Sequence, residues 1–204
     1  MSDASWSLSE TGALALKAAR GAGMSWGLAE ESSHAVIWLA HRSAPGIASL
    51  CRHLTWYKAD YVNKAEQCPI AIGAAISDGA IALPCDLGII REPLLLVPFI
   101  SASARHNEWT LHIDELTIDI SASGFSSDII NTALLIEKAD CRISPGTLSA
   151  ETIAKHKAKA TIGRIPATAS ACIKTFEAFA HHTYAPPTEQ SRLAGAGSGL
   201  SDND

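Results

Sequence analysis

The chain has no long hydrophobic run. Its longest charge-free apolar stretch, residues 93–104, is about a dozen residues, well short of the roughly 20 that a helix needs to span a bilayer. No membrane span is therefore expected. Charge is also scarce: Asp, Glu, Lys and Arg make up 18% of 204 residues, and 16 basic against 21 acidic side chains leave a net charge of -5. Without a basic excess there is no stripe to track phosphates, which excludes nucleic acid as a main partner. The opening residues Ser2, Asp3, Ala4, Ser5 and Trp6 have neither the basic nor the apolar region of a signal peptide, and this predicts a cytoplasmic protein. Cys51, Cys68, Cys85, Cys141 and Cys172 are odd in number, widely spaced and never arranged as C-x-x-C. That spacing argues against a disulfide frame or a zinc site and predicts reduced thiols filling the core. What the chain does have is apolar residues, 47% of the total, enough to bury a core and exclude disorder over most of its length.

The pattern along the chain predicts an α+β fold. It comprises an N-terminal three-helix unit over residues 1–64, then over 65–204 a mostly antiparallel sheet with a C-terminal helix and a glycine-rich tail, all in one domain. Ser7-Leu8-Ser9-Glu10 is a capping box, and Gly21 to Gly23 close the helix it starts. A second helix follows Ser25 and stops near Ser43; a third, opened by Pro45, carries Ile47, Leu50, Cys51 and Leu54 at helical spacing. Alternation around Asp78-Gly79 predicts a hairpin over residues 70–83, and the doubly apolar run 94–97 predicts a central strand, as 133–136 does more weakly. Trp109, Leu111 and Ile113 alternate with polar residues up to Asp114-Glu115, and Leu116, Ile118 and Ile120 resume the face. A two-residue loop would set Ile113 opposite Leu116 and Leu111 opposite Ile118. Pro166 opens a last helix to His182, and Pro186-Pro187 end it.

No motif names a reaction or implies a cofactor. His34, Trp38 and His41 share a helix face, but two histidines seven residues apart lack the compact spacing of a helical zinc pair, so no metal is expected. His181 and His182 point apart near a helix end, where either can meet the dipole. Thr110, His112, Asp114, Thr117 and Asp119 cluster on the outer face of the hairpin, as a base with its orienting acid would and as any polar face would. Cys85-Asp86, read as a turn after Pro84, has only Arg91 nearby to lower a thiol pKa. The Gly21 to Gly23 turn precedes a helix but follows no strand and lacks G-K-[ST], so it is no phosphate loop.

Two segments together are more specific. Residues 17–31, KAARGAGMSWGLAEE, and the ending Thr183-Tyr184-Ala185-Pro186 with SRLAGAG from Ser191 to Asp204 resemble an uncharacterised proteobacterial family catalogued as a domain of unknown function. The helix, glycine turn and Gly-Leu-Ala-Glu-Glu helix also resemble the opening of malate and lactate dehydrogenases of the non-Rossmann type. Those enzymes are longer, and the likeness is that of a shared helical hairpin. By composition the glycine-rich tail is a linker; the family resemblance makes it a signature and implies that it folds back onto residues 20–31. On that reading Arg20, Gly21, Gly23, Trp26, Tyr184, Ser191, Arg192, Gly195 and Gly197 bind a ligand, and Glu30, Glu31 and Asp202 act on it. The expected function is binding or conversion of a small polar or anionic metabolite. The alternative is a non-catalytic accessory subunit docking on a metabolic enzyme, and a protein partner or homo-oligomer fits either.

Overall fold

The computed structural model of the protein describes residues 6–59, 66–105, 107–126, 136–146, 164–165 and 169–184. Helix α1 (Leu8–Gly21) starts at the reciprocal cap expected of Ser-x-x-Glu: the Glu10 N–H donates to the Ser7 hydroxyl at 3.2 Å, and the Ser7 N–H donates to the Glu10 carboxylate at 2.8 Å. Gly23, at φ 97°, takes the left-handed turn that leads to the Ser25 cap of α2 (Trp26–His41), and α3 (Gly46–Ala59) follows. Helix α6 (Ser170–His181) closes the described chain and packs along α1. Its expected start at Pro166 lies outside the described residues, as do residues 133–135 of the weaker strand expectation.

The seam between α1 and α6 depends on Gly21. A Cβ there would overlap the Phe179 carbonyl of α6, a backbone group that cannot rotate away. Gly21→Ala is therefore expected to destabilise the fold by about 2–3 kcal/mol, as overpacking does. Gly27, in the first turn of α2 with open space above it, provides the control: Gly27→Ala should be neutral or stabilise by up to about 1 kcal/mol. Urea denaturation of the two variants beside the parent checks both signs.

Strands β2 (Cys85–Arg91), β3 (Trp109–Ile113), β4 (Leu116–Ser121), β5 (Gly124–Phe125) and β6 (Lys138–Pro145) form an antiparallel sheet in the order β2-β6-β3-β4-β5. A separate two-stranded ribbon pairs β1 (Trp6–Ser7) with β7 (Arg164–Ile165). The hairpin of β3 and β4 has the expected register, Ile113 opposite Leu116 and Leu111 opposite Ile118, with Asp114 at φ 48° in the turn. Trp109, Leu111, Ile113, Ile118, Ile120, Cys141 and Ile143 bury one side of the sheet in a core shared with Val36, Leu39, Leu50 and Leu54 of the helices.

Two expectations are corrected. Residues 70–83 do not form a hairpin: α4 (Pro69–Ser77) occupies most of them, with Asp78 as its C-cap and Gly79 at φ 76° beyond. Pro69 at the first helical position is pre-set for a helix, and burial of Ile70, Gly73 and Ile76 follows a three-residue period, not two. Residues 94–97 are not a central strand either. Pro93–Leu96 is a 3-10 turn that runs into α5 (Val97–Ser103), with Pro93 and Pro98 at the starts of their helices. A run apolar on every side fits a helix wrapped in core as well as a strand covered on both faces, and here the prolines decide it. Cys85 likewise begins β2 instead of sitting in a turn. Among the described residues no helix is long and apolar enough to cross a membrane.

Candidate functional site

The turn from α1 to α2 and the end of α6 meet in a depression of about 390 Å3 lined by Leu16, Lys17, Arg20, Trp26, His182 and Thr183. Met24 is fully buried, and its N–H donates to the Ala19 carbonyl at 3.0 Å, which pins the turn. Arg20 donates to the Met24 carbonyl and lies 4.7 Å from the centre of the Trp26 ring, a cation–π arrangement. Trp26 is nonetheless 63% exposed. Across the depression Lys58 Nζ stands 3.2 Å from His182 Nδ1; an ammonium only donates, so this contact requires an unprotonated ring nitrogen.

Of the residues expected at a site, Arg20 and Trp26 line this depression together. Gly23 supplies the left-handed turn, and Gly21 serves the helix seam. Glu30 is exposed and Glu31 half-buried on α2, and neither lines the depression; Tyr184, 59% exposed, turns its ring edge-on to His181 at 5.7 Å. Ser191, Arg192, Gly195, Gly197 and Asp202 lie outside the described residues.

The outer sheet face holds the second expected cluster. There Thr110 donates to Asp119 at 2.7 Å, and His112 Nε2 contacts the Ser144 hydroxyl at 2.8 Å. The Asp114 carboxylate instead accepts from the Asp140 N–H at 3.0 Å, so it anchors the hairpin to β6 and does not orient His112. On α2, Trp38 packs on Phe125 beneath the Arg42 guanidinium. Among the described residues no three His, Cys, Asp or Glu side chains gather as metal ligands.

A third cluster was invisible to spacing. Ser49, Arg52, His53 and Trp56 occupy one face of α3 at helical intervals, opposite the corner where β2 meets the 3-10 turn. Arg52 makes two 2.6 Å bonds to the carboxylate of Glu92, which is 2% exposed and held left-handed at φ 47°. Burial raises the Glu92 pKa more than Arg52 lowers it. His53 is fully buried, and its Nε2 lies 3.4 Å from Cys68 Sγ between the Trp56 and Tyr57 rings. Burial, with Arg91 adding to it, drives the imidazole down to about 3, and burial drives the Cys68 thiol up to about 11. Both are neutral at physiological pH, so the thiol donates to the ring and is no nucleophile. Four polar atoms here, Ser49 Oγ, His53 Nδ1, Trp56 Nε1 and Arg91 Nε, are buried without a hydrogen-bond partner. Each such group costs about 1–3 kcal/mol. The signal that could have revealed the cluster is a second stripe on α3, polar and aromatic at the same period as the apolar one.

Residues 6–79 match the model of a family described as Protein of unknown function (DUF3726). The match takes in α1 to α4 and the whole segment 17–31, and the chain thus carries a domain of a family of unknown function. No curated protein and no solved structure matches the chain.

Proposed function

We propose that the protein binds a small anionic metabolite in the depression at the junction of α1, α2 and α6. The observation that supports this reading is the convergence of Lys17 and Arg20 with the exposed Trp26, His182 and Thr183 in one concavity, from opposite ends of the sequence. Two cations beside an aromatic plane suit a carboxylate or phosphate attached to a flat or apolar body. Glu30 and Glu31 lie on the same helix as Trp26 and would act on such a ligand once the tail residues Arg192 and Asp202 close over it. The accessory-subunit reading draws on one observation, that Trp26 and Tyr184 are among the few large apolar side chains left exposed.

A thermal-shift titration with phosphate, pyrophosphate, malonate and citrate tests the proposal. A bound anion at about 100 times its Kd stabilises by roughly 2.7 kcal/mol, a rise of several degrees. The paired substitutions Lys17→Gln and Arg20→Gln should abolish that rise, and a chain ending at residue 190 should reduce it if the tail completes the site. No rise with any anion, or a rise that survives both substitutions, would overturn the reading.

A further inference from the structure

We propose a second binding site, for a small carboxylate with an apolar body, in the depression between the end of α4 and the start of β3. It measures about 330 Å3 and shares no lining residue with the Arg20 depression. Ile76, Ile81 and Leu83 form apolar walls. Ser77 and Ser103 also line it, but their hydroxyls already donate to the Ala74 and Ile100 carbonyls at 3.0 and 2.8 Å. Unused polar capacity is held by two other lining residues. Trp109, the first residue of β3, is only 9% exposed, and its indole Nε1 is buried without an acceptor. An indole N–H can only donate, so the missing partner is an acceptor. Arg105 is exposed, permanently charged, and held at φ 35°, a left-handed conformation that a non-glycine residue adopts at a cost. Turns strained in this way concentrate where a side chain has to be presented in one direction.

A donor in the floor, a guanidinium at the rim and aliphatic walls between them define the ligand class. A carboxylate satisfies both donors, with the guanidinium contact charge-assisted, and a short alkyl or branched chain covers Ile76, Ile81 and Leu83. A dianion such as phosphate would leave the walls uncovered, which separates this site from the one proposed above.

Calorimetric titration of the full chain with hexanoate and with 1-hexanol provides the test. Hexanoate should bind at least about tenfold tighter than the alcohol, the difference that one charge-assisted contact makes. Arg105→Gln, at an exposed position, should bring hexanoate down to the alcohol's affinity, and Trp109→Phe, which keeps the ring and removes the N–H, should weaken it severalfold. The paired Lys17→Gln and Arg20→Gln substitutions should leave hexanoate binding unchanged. Equal binding of acid and alcohol, no binding of hexanoate, or full affinity in Arg105→Gln would overturn the site whether or not the Trp109 variant folds.

Discussion

Arg52→Ala should destabilise the protein by about 3 kcal/mol, far more than loss of an exposed ion pair. The reason is the asymmetry of the pair. Arg52 is partly open to water, whereas Glu92 is 2% exposed and its backbone is already strained at φ 47°. Removing the guanidinium leaves an uncompensated carboxylate in the interior, and that desolvation dominates the loss. The pH dependence has a definite sign. Burial already holds the Glu92 pKa above its ordinary value, and loss of Arg52 raises it further. A carboxyl with a raised folded-state pKa favours the fold below its unfolded pKa, and that contribution disappears as pH rises through the folded value. The deficit of Arg52→Ala should therefore be largest at neutral pH and shrink in mild acid. Adding Glu92→Gln to Arg52→Met should recover most of the loss. Urea denaturation of the two variants at neutral and mildly acidic pH measures all of this; a deficit independent of pH would mean that lost packing, not the stranded charge, is responsible.

His53 carries the largest expected acid sensitivity in the described core. Its folded pKa of about 3 lies well below the ordinary 6.5, so the unfolded chain takes up a proton that the folded one refuses. Stability from this group is present above pH 6.5 and falls as pH drops toward 3, in total by on the order of 4 kcal/mol. His53→Leu removes the titration while also removing the contact with Cys68. The variant should begin less stable at neutral pH, because Cys68 Sγ loses its acceptor, yet lose less on acidification than the parent. Parallel acid limbs for the two proteins would show that the imidazole is protonated in the fold or that it titrates with solvent access.

What the sequence revealed about the fold depended on how local the determining interaction is. The Ser7–Glu10 cap and the hairpin at Asp114-Glu115 involve neighbours within a few residues, and both stand in the structure as their residue types require. Residues 70–83 and 94–97 failed because alternation and uninterrupted apolarity are ambiguous where a helix is covered on all sides, and the prolines at 69, 93 and 98 carried the deciding information. Strand β6 has a plain alternation, Ala139, Cys141 and Ile143 inward against Lys138, Asp140 and Arg142 outward, but small side chains give it a weak hydropathy signal. For the candidate site, Arg20 and Trp26 were legible because four backbone steps and a cap join them to a recognisable motif. The Arg52–Glu92 pair, 40 residues apart, and the Trp109 N–H, whose significance lies in an absent acceptor, depend on tertiary placement that no spacing encodes.

The clasp formed by β1 with β7 and α1 with α6 has a consequence for biosynthesis. Both halves of it nearest the amino end leave the ribosome long before residues 164–181 are made, so α1 waits with its seam open. The buried side of that waiting helix is largely Ala15, Ala18 and Ala19, with Gly12 and Gly21 at its contacts. Such small residues offer little apolar area to a passing chain or a neighbouring nascent protein, since attraction scales with the surface removed from water. A seam of larger side chains would have held α6 no closer, given the backbone contact at Phe179, and would have left the unfinished chain far more adhesive. The alanine and glycine that allow the close approach in the finished molecule thus also keep its half-built precursor from sticking.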